Sequence, residues 1–430
     1  MRVLVTGATG LIGSALVARL IERGDAVVAI ARRTARAARS MPTPQWVEVD
    51  IAGATNPEDW RPHLAGVDAV VNCAGVLQDS AADSTRGVHV GGGGALFAAC
   101  ERAGIRRAIQ VSAIGVDRAS PTAFSRTKLE ADTALMQSGL DWVILRPSVV
   151  LGPAAYGGSA LFRGLAVLPW LPVLPETGSL QIVQLDDLVA SILFFLAPNA
   201  PSRVALDIAG PERLSFAEIV SRYRAWLGWP EPRLVPLPRW AARPVFALGD
   251  VAGWLGWRSP LRSTARREII RGAVGDPAPW TAITGIVPKS FAAALAVRPA
   301  SVQERWFAGL YLLKPVIFVG LAVFWALTGL LSLGPSYRLG AELMRAAGAG
   351  ALSGPSVIVG GLLDVAVGIG IASRRSSRRA LQAGLALSGF YLVAGTVLLP
   401  RLWIEPLGPM LKTVPIMLLM VVALAILEDR

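Results

Sequence analysis

The sequence predicts an α/β domain built on a doubly wound parallel sheet with a small substrate lobe, followed by a bundle of four transmembrane helices. Three observations lead to this fold class. β-branched strands alternate with amphipathic helices over the first 150 or so residues, as in a parallel sheet covered on both faces. Of the 430 residues, 53% are hydrophobic, which is a high share for a soluble protein. Charged residues are frequent before residue 307 and sparse after it, which indicates a soluble module joined to a membrane module.

The first strand and the first helix enclose a glycine-rich turn. Residues Val3–Gly13 read VLVTGATGLIG. Gly7 can adopt turn dihedral angles closed to other residues, Gly10 lets backbone N–H groups approach a pyrophosphate, and Gly13 lets the helix pack closely on the strand. The positive end of the helix dipole then faces the phosphates. We therefore predict a dinucleotide site whose contacts in this stretch are Gly7, Thr9, Gly10, Leu11, Ile12 and Gly13.

The end of the second strand bears on the choice of cofactor. Strand Ala26–Ile30 is followed by Arg32 and Arg33. An acidic residue at this position would accept hydrogen bonds from the ribose of NAD(H), whereas a basic residue suits the 2′-phosphate of NADP(H). Solvated arginines are also common at strand ends. The sequence therefore favours NADP(H) over NAD(H), and it leaves open that Arg32 and Arg33 are only solvated arginines at a strand end.

The third and fourth strands end in further candidate cofactor contacts. Asp50 and Ile51 follow the third strand at a position from which a side chain could meet the adenine edge. Ala74 and Gly75 follow strand Ala69–Asn72, and such small residues at the carboxyl edge of a parallel strand leave room for a ligand.

Two more helices and two more strands follow in alternation: helix Val90–Ala103, strand Arg107–Val111, helix Phe124–Ser138 and strand Trp142–Leu145. Gly91–Gly94 lie in the first turns of the earlier helix, a costly start unless something must approach it closely. Three candidate site residues come from this part of the chain. Ser112 follows a strand, Lys128 lies in the later helix, and Pro147 follows the last strand.

We assign residues 1–300 to the NAD(P)-binding domain and residues 306–430 to the membrane domain. Residues 151–300 include the substrate lobe, which begins with the Gly/Pro-rich segment Pro153–Gly178. Residues Arg233–Arg271 mix tryptophans with arginines and prolines. This segment is either an amphipathic element on the membrane surface or a helical subdomain packed on the sheet.

Four apolar spans of about 20 residues are each long enough to cross a bilayer as a helix: Leu310–Leu333, Ala349–Ala372, Ala380–Leu399 and Pro409–Leu427. The loop Ser373–Arg379 contains four arginines, which the positive-inside rule places in the cytoplasm. Counting outward puts both termini there as well. Because Met1 and Arg2 run directly into the first strand, we expect no signal peptide and a cytoplasmic N-terminal domain.

Three ionisable residues lie in or near these spans. Asp364 is inside the second span, and Lys314 and Lys412 lie near the ends of the first and last. A carboxylate in hydrocarbon should face the bundle interior and a partner. One alternative is that Asp364 pairs with a lysine or takes part in proton or quinone handling. The other is that Asp364 is purely structural and that the lysines snorkel to the membrane surface.

Other functional classes are disfavoured. The net charge of +12 would permit nucleic-acid binding, but the basic residues flank apolar spans and do not form one patch with aromatics, so we expect no nucleic-acid partner. Cys73 and Cys100 lie in apolar segments and are expected to be reduced packing residues. His63 and His89 are far apart and have no cysteine at ligand spacing, so we expect no metal.

The chain resembles two known families. The glycine turn, Asn72–Gly75, Val111-Ser112, Arg146–Gly152 and Gln184–Leu188 resemble motifs of the extended and atypical branches of the short-chain dehydrogenase/reductase superfamily, and in particular the group of the NADPH-binding accessory subunit of respiratory complex I. The resemblance implies a Rossmann-like fold over residues 1–299. Residues 402–409, LWIEPLGP, together with Lys412 resemble DoxX-like membrane domains. That family is associated with quinol-linked redox complexes, and the fusion implies a bacterial inner-membrane protein.

The resemblance also exposes a departure at the catalytic positions. The superfamily pairs a tyrosine with a lysine four residues later and adds a serine or threonine on the preceding strand. The matching residues here are Phe124, Lys128 and Ser112. Phenylalanine carries no exchangeable proton, so acid–base chemistry by a tyrosine is lost unless another group replaces it. Tyr156 is a replacement only if its loop folds over the site.

Three functions therefore compete. The first is an oxidoreductase acting on a lipophilic or quinone-like substrate. The second is a non-catalytic NADPH-binding module that serves a membrane redox complex as a structural or sensing element. The third is a sugar-nucleotide or lipid epimerase or dehydratase, which the missing tyrosine disfavours. The expected partners are the lipid bilayer, the lipophilic or quinone-like substrate and the redox complex.

Overall fold

A computed structural model describes residues 1–80, 83–119, 121–174, 176–257, 259–406 and 408–428. Leu407, within the DoxX-like motif, lies outside the described residues. The chain divides into two compact units. The first comprises Met1–Val251 and Ser259–Ala308, and the second comprises Ala252–Arg258 and Gly309–Arg430.

The first unit is built on strands that mostly follow the β-branched runs of the sequence. In chain order they are β1 (Arg2–Thr6), β2 (Ala26–Ala31), β3 (Gln45–Glu48), β4 (Ala69–Asn72), β5 (Arg107–Val111), β6 (Asp141–Pro147), β7 (Val149–Leu151), β8 (Trp170–Val173), β9 (Ile182–Gln184), β10 (Val204–Ile208) and β11 (Arg233–Pro236). Seven of them form one sheet in the order β10-β6-β5-β4-β1-β2-β3. All the neighbouring pairs in this sheet are parallel.

This sheet confirms the predicted doubly wound architecture. The chain proceeds from β1 to β2 and β3 in one direction, and then returns to β4, β5 and β6 on the other side of β1. The order therefore reverses at β1, where α/β proteins bind ligands beyond the carboxyl ends of the strands. Alternate residues of β1 enter different cores. Val3 and Val5 pack on one face of the sheet, and Leu4 packs on the other.

The helices up to residue 296 are α1 (Leu11–Glu22), α2 (Ala35–Ser40), α3 (Pro57–Trp60), α4 (Gly93–Arg102), α5 (Ala123–Met136), α6 (Gly158–Leu165), α7 (Leu185–Phe195), α8 (Phe216–Trp226), α9 (Arg239–Trp254), α10 (Ser263–Arg271), α11 (Ala278–Thr284) and α12 (Phe291–Ala296). The core on one face of the sheet takes residues from α1, α7 and α11, and the core on the other takes residues from α3, α4 and α5. Both faces are thus covered, as the sequence predicted.

The prediction of a regular helix over Val90–Ala103 was wrong at its beginning. The chain first forms π-helical turns over Gly87–Gly92, and α4 begins only at Gly93. The glycines are needed because this segment packs directly on the loop after β3. A Cβ atom at Gly92 would collide with the carbonyl oxygen of Ile51, and one at Gly91 would lie 3.0 Å from Thr55 Cγ2. The close approach expected from the glycine run is therefore to another part of the chain.

After β6 the chain forms a smaller layer of strands and helices. Two two-stranded parallel sheets, β7 with β9 and β8 with β11, enclose a separate core with α6, α8 and α12. The segment Arg233–Arg271 contributes β11, α9 and α10. It is therefore largely helical.

Most of α13 (Val302–Leu333) belongs to the second unit. The later helices of this unit are α14 (Tyr337–Ala346), α15 (Ser353–Ala372), α16 (Ser377–Leu398) and α17 (Pro409–Ile426). Within the described part of the chain, four segments are long and apolar enough to cross a membrane, namely Val302–Leu333, Gly350–Ala372, Ser377–Leu398 and Pro409–Ile426. They match the four predicted spans, although α13 begins before Leu310. The sequence did not predict α14, which is too short to span a bilayer.

The helix ends in this unit show which termini share one end of the bundle. Arg374, in the arginine-rich loop, donates a hydrogen bond of 3.1 Å to the carbonyl oxygen of Leu427. Lys314 Nζ donates to the same oxygen at 3.3 Å, and Arg378 forms an ion pair of 3.2 Å with Glu428. The first part of α13, the loop between α15 and α16, and the end of α17 thus lie together.

The buried carboxylate in the second span has a hydroxyl partner. Asp364 is 4% exposed, and its Oδ1 accepts a hydrogen bond of 3.1 Å from the hydroxyl of Tyr391 on α16. The alternative in which Asp364 pairs with a lysine was wrong for Lys314, because the Lys314 ammonium group donates instead to carbonyl oxygens at the end of α17. Asp364 does face the bundle interior, as expected.

Candidate functional site

The turn between β1 and α1 has the geometry of a phosphate-binding loop. Gly7 has a φ of +63°, and a Cβ atom there would lie 2.9 Å from the backbone of Cys73 and Ala74. A Cβ atom at Gly13 would collide with the carbonyl oxygen of Gly7, so the helix packs directly on the turn. Only glycine satisfies both positions, which explains the glycines at 7 and 13.

The N-terminus of α1 offers unpaired donors. Gly10 is the N-cap residue, and no side chain caps the helix. The N–H groups of the first turn, which Leu11, Ile12 and Gly13 provide, have no partner within the helix. The side chains of Leu11 and Ile12 pack against the core and leave the backbone to face outward. A helix of 12 residues with this open start suits a pyrophosphate.

Buried side chains connect the carboxyl ends of three neighbouring strands. Thr6 Oγ1 of β1 donates a 2.5 Å hydrogen bond to Asn72 Oδ1 of β4, and Asn72 Nδ2 donates a 2.7 Å bond to Gln110 Oε1 of β5. Asn72 Oδ1 also accepts from the N–H of Ala74 at 3.2 Å. This chain of bonds fixes the segment after β4 beside the glycine turn.

Lys128 holds the same segment from the other side. Its Nζ donates to the carbonyl oxygens of Val111 at 2.9 Å and Ala74 at 3.3 Å. A Cβ atom at Gly75 would lie 3.5 Å from that Nζ, so the loop glycine is a direct neighbour of the ammonium group, and Lys128 is 4% exposed. Burial lowers the pKa of Lys128 to about 8, while the nearby Asp132 carboxylate opposes this shift. The lysine therefore titrates close to neutral pH.

His89 is a residue that the sequence did not assign to the site. It lies in the π-helical turns, and its Nε2 accepts a 3.0 Å hydrogen bond from the N–H of Val76. Nδ1 must then carry the proton, and it lies 2.8 Å from Thr127 Oγ1. Burial lowers the pKa of His89 to about 2, and the charge of Lys128 adds to the effect. His89 is thus a neutral support for the loop.

Phe124 and Ser112, which the resemblance matched to a tyrosine and a serine, lie beside His89 and Asp132. The Phe124 ring meets the ring of His89 edge to face at 5.8 Å. Ser112 Oγ donates a 2.8 Å hydrogen bond to Asp132 Oδ2, so it is bound to a carboxylate. Asp132 is fully buried, and burial raises its pKa although Ser112 and Arg146 oppose the shift. The sequence did not assign Asp132 to the site.

Arg146 completes this buried cluster of charges. Its Nε lies 3.1 Å from Asp132 Oδ2, and its Nη1 lies 2.6 Å from Asp117 Oδ2. Two cations, Lys128 and Arg146, are therefore matched by two carboxylates. Pro147, at the end of β6, accepts a hydrogen bond from the N–H of Ile114 through its carbonyl oxygen at 3.1 Å.

Arg32 lies directly after β2, as predicted, but it already has an acidic partner. Its Nη1 forms an ion pair of 2.7 Å with Asp83 Oδ1, and the Arg32 side chain is 40% exposed. Arg33 is exposed beside it. A 2′-phosphate bound by Arg32 would have to share or displace this carboxylate.

The residues after β3 play structural parts. The Asp50 carbonyl oxygen accepts hydrogen bonds from the N–H groups of Gly53 and Ala54, which makes a turn. The Ile51 side chain is buried in the core with the residues of α4. Both lie at the carboxyl edge of the sheet, where Asp50 remains exposed.

Two other groups are relevant to the chemistry of the site. Cys73 and Cys100 are free thiols, and burial raises the pKa of each to about 12, so they are protonated at neutral pH. Among the described residues, no group of three or more His, Cys, Asp or Glu side chains could hold a metal ion.

Comparison with known families finds a match in each part of the chain. Residues 7–162 match a family described as NAD(P)H-binding, and residues 322–421 match the DoxX-like family. The first match contains the glycine turn, Lys128 and the buried charge cluster. The second contains Asp364 and Tyr391.

The chain is also similar to individual proteins. The chain is 27% identical to sterol demethylase protein B of Methylococcus capsulatus over 333 residues, which are 71% of this chain and 99% of that protein. It is 29% identical over 147 residues to the photosystem II assembly factor Ycf39 of Synechocystis sp., covering 34% of this chain and 44% of that one. The structure of dTDP-glucose 4,6-dehydratase from Bacillus anthracis in complex with NAD superposes with a TM-score of 0.54 at 17% identity, over 71% of this chain and 96% of the other. This last similarity concerns the fold alone.

Proposed function

We propose that this chain, which joins an NAD(P)H-binding domain of the short-chain dehydrogenase/reductase type to a DoxX-like membrane domain, is a membrane-anchored oxidoreductase acting on a lipophilic or quinone-like substrate. The observation that carries the proposal is the position of Lys128. Its ammonium group is held between the ends of β4 and β5, next to Gly75 and on the edge of the sheet where α1 presents its open N-terminus.

The residues present fit a nicotinamide dinucleotide. The first turn of α1 would bind the pyrophosphate, and Lys128 would bind the nicotinamide ribose hydroxyls. The cofactor supplies or accepts the hydride. The proton that accompanies the hydride cannot come from Phe124, and Lys128, with a pKa of about 8, is the group we assign to deliver it. A lysine near neutral pH donates a proton readily and recovers it from solvent.

The class of substrate follows from the setting of the site. A chain with four membrane-spanning helices gives its soluble domain access to molecules dissolved in the bilayer. The sterol demethylase relative is named for a polycyclic lipid, which supports a lipophilic substrate. Quinone reduction by NADPH consumes one proton and yields a hydroquinone, so it needs no co-reactant beyond those named.

We assign the cofactor as NADP(H) and the membrane as the bacterial inner membrane, with the dinucleotide domain in the cytoplasm. Arg32 and Arg33 supply positive charge at the end of β2. The arginine-rich loop 373–379 supports a cytoplasmic location for the end of the bundle that it shares with the chain terminus. A single cysteine introduced at Ser376, labelled by a membrane-impermeant reagent in spheroplasts only after lysis, would agree with this orientation. Labelling of intact spheroplasts would contradict it.

Turnover can be tested on the purified full chain in lipid nanodiscs. The loss of NADPH absorbance is followed with a soluble quinone and, separately, with a steroid ketone. We expect at least one acceptor to oxidise NADPH, and Lys128→Met to abolish the reaction while the exposed Lys289→Met leaves it unchanged. Equal rates for Lys128→Met and the wild type would refute the assignment.

A non-catalytic NADPH-binding module remains the second candidate, because Phe124 has no proton and Ser112 donates its own to Asp132. Such a module would retain cofactor without oxidising it with any acceptor. Phe124→Tyr separates the two candidates further. If this variant creates a turnover that the wild type lacks, the native site is a binding module that has lost an ancestral activity.

A further inference from the structure

Helix α9 has one apolar face that the first unit buries. Ala242, Phe246 and Gly249 are buried on this face. The contact is close, because a Cβ atom at Gly249 would collide with the carbonyl oxygen of Leu261. Asp250, beside this face, accepts hydrogen bonds from Gln78 at 2.9 Å and from the N–H of Ser263 at 3.3 Å. The inner face of the helix is therefore fully used in packing.

The opposite face of α9 is apolar as well, and it is exposed. With 100° of rotation per residue, six exposed positions fall within one stripe about 120° wide. These six residues, called the α9 stripe, are Trp240, Pro244, Ala247, Leu248, Val251 and Trp254. The two tryptophans are each 75% exposed, Leu248 is 68% exposed and Val251 is 54% exposed. A continuous apolar surface of this kind marks an interaction site.

The residues that follow α9 belong to the membrane unit. The Trp257 Nε1–H donates a 2.7 Å hydrogen bond to the carbonyl oxygen of Ala372, the last residue of α15, and its ring packs on Phe318 of α13 at 4.8 Å. The carbonyl oxygen of Leu255 accepts from the N–H of Arg374 at 3.0 Å. Residues 255–257 thus pack at the end of the bundle that carries the arginine-rich loop.

This connection limits where α9 can end. Two residues, Leu255 and Gly256, separate Trp254 from Trp257, and the three Cα–Cα steps between the tryptophans span at most about 10 Å. The last residue of α9 therefore lies within about 10 Å of Trp257, which is hydrogen-bonded to the last residue of α15. A tryptophan at each end of the stripe and the exposed Arg243 at its side are the residues that settle at the boundary between lipid tails and headgroups.

We propose that α9 lies along the surface of the bilayer that the chain's own helices span, with the α9 stripe inserted among the lipids. The helix is then a membrane-interface element and the lipid is its partner. The continuity of α9 with the segment packed on α13 and α15 favours lipid over a second protein. This placement concerns the membrane surface alone and does not depend on the cofactor or on turnover.

Spin labels on the full chain test the proposal. Single cysteines replace Leu248 or Val251, and the labelled chain is reconstituted in vesicles of phosphatidylcholine and phosphatidylglycerol. Collision with oxygen, which concentrates in lipid, is compared with collision with a water-soluble nickel complex. Glu22→Cys, exposed on α1, is the aqueous reference, and Ile369→Cys, exposed on α15, is the lipid reference. The wild-type chain, treated identically, reports any reaction at Cys73 or Cys100.

We expect both stripe labels to favour oxygen over nickel by a ratio at least several-fold above that of the Glu22 label and towards that of the Ile369 label. A ratio equal to the Glu22 reference would overturn the proposal. Low accessibility to both reagents would also overturn it, because it would mean that a protein surface, either a second copy or another partner, covers the stripe.

A charge substitution provides an independent check. Leu248→Glu combined with Val251→Glu should lift the helix from the lipid, so that a label at Trp254 shifts from oxygen towards nickel. Val287→Glu, at an apolar residue that is 75% exposed outside the stripe, should leave that label unchanged. An unchanged Trp254 label in the double variant would contradict the insertion of the stripe.

Discussion

Replacing Lys128 by methionine should change how the stability of the chain depends on pH. Burial lowers the pKa of this lysine from its ordinary value of 10.5 to about 8, so the folded chain disfavours the charged form. Between these two pH values the unfolded chain binds more protons than the folded chain. The free energy of unfolding of the wild type therefore rises with pH in this window.

The size of the effect follows from the shift. A difference of about 2.5 pKa units corresponds to roughly 3 kcal/mol in the free energy of unfolding. Methionine has a similar length and no charge, so the variant lacks this contribution. It also loses the hydrogen bonds to Val111 and Ala74, at about 1 kcal/mol each. Near pH 7 we therefore expect Lys128→Met to be at least as stable as the wild type.

Guanidinium-induced unfolding of the full chain in detergent, measured from pH 7 to pH 10, tests this reasoning. The difference between wild type and Lys128→Met should change by about 2.5 kcal/mol across the range, and Lys289→Met should follow the wild type. Parallel curves for wild type and Lys128→Met would refute the buried, perturbed lysine.

In the same variant the affinity for NADPH should fall about tenfold or more at pH 7, since a charged hydrogen bond contributes about 1.5–3 kcal/mol.

Three further variants test separate parts of the molecule. Gly10→Val should abolish dinucleotide binding, because its side chain would block the approach to the start of α1, and unchanged affinity in calorimetry would contradict the glycine-turn assignment. Asp83→Ala should raise the affinity for NADPH relative to NADH, and Arg32→Asp should lower it, because the two residues form an ion pair at the assigned 2′-phosphate site. An equal ratio of NADPH to NADH affinity in both variants would exclude Arg32 from that site. Tyr391→Phe removes the hydroxyl that binds Asp364 and should destabilise the membrane unit by about 1 kcal/mol in detergent, whereas no loss of thermal stability would mean that the bond contributes nothing.

The parts of the fold that the sequence predicted depend on local signals. The β-branched runs placed the strands of the large sheet, and the spacing of glycines placed the turn before α1. The four apolar spans followed from length and composition alone. The π-helical turns over Gly87–Gly92 could not be predicted in this way, because they depend on contact with Ile51, some 40 residues earlier in the chain.

Gly75 and Lys128, candidates because one follows a strand and the other matches a motif, do lie close together. His89, Asp132 and Asp83 were missed because their partners are distant in sequence. His89 meets Val76 and Thr127, Asp132 meets Ser112 and Arg146, and Asp83 meets Arg32. One signal was available for Asp132. It lies one helical turn after Lys128, so a buried lysine there already required a nearby carboxylate.

The most direct measurement of the central claim is the binding of a nicotinamide dinucleotide to the full chain in lipid nanodiscs, titrated with NADPH and NADH by calorimetry. The account predicts one dinucleotide per chain, with tighter binding of NADPH. Failure of the properly folded, membrane-inserted chain to bind either dinucleotide would contradict it.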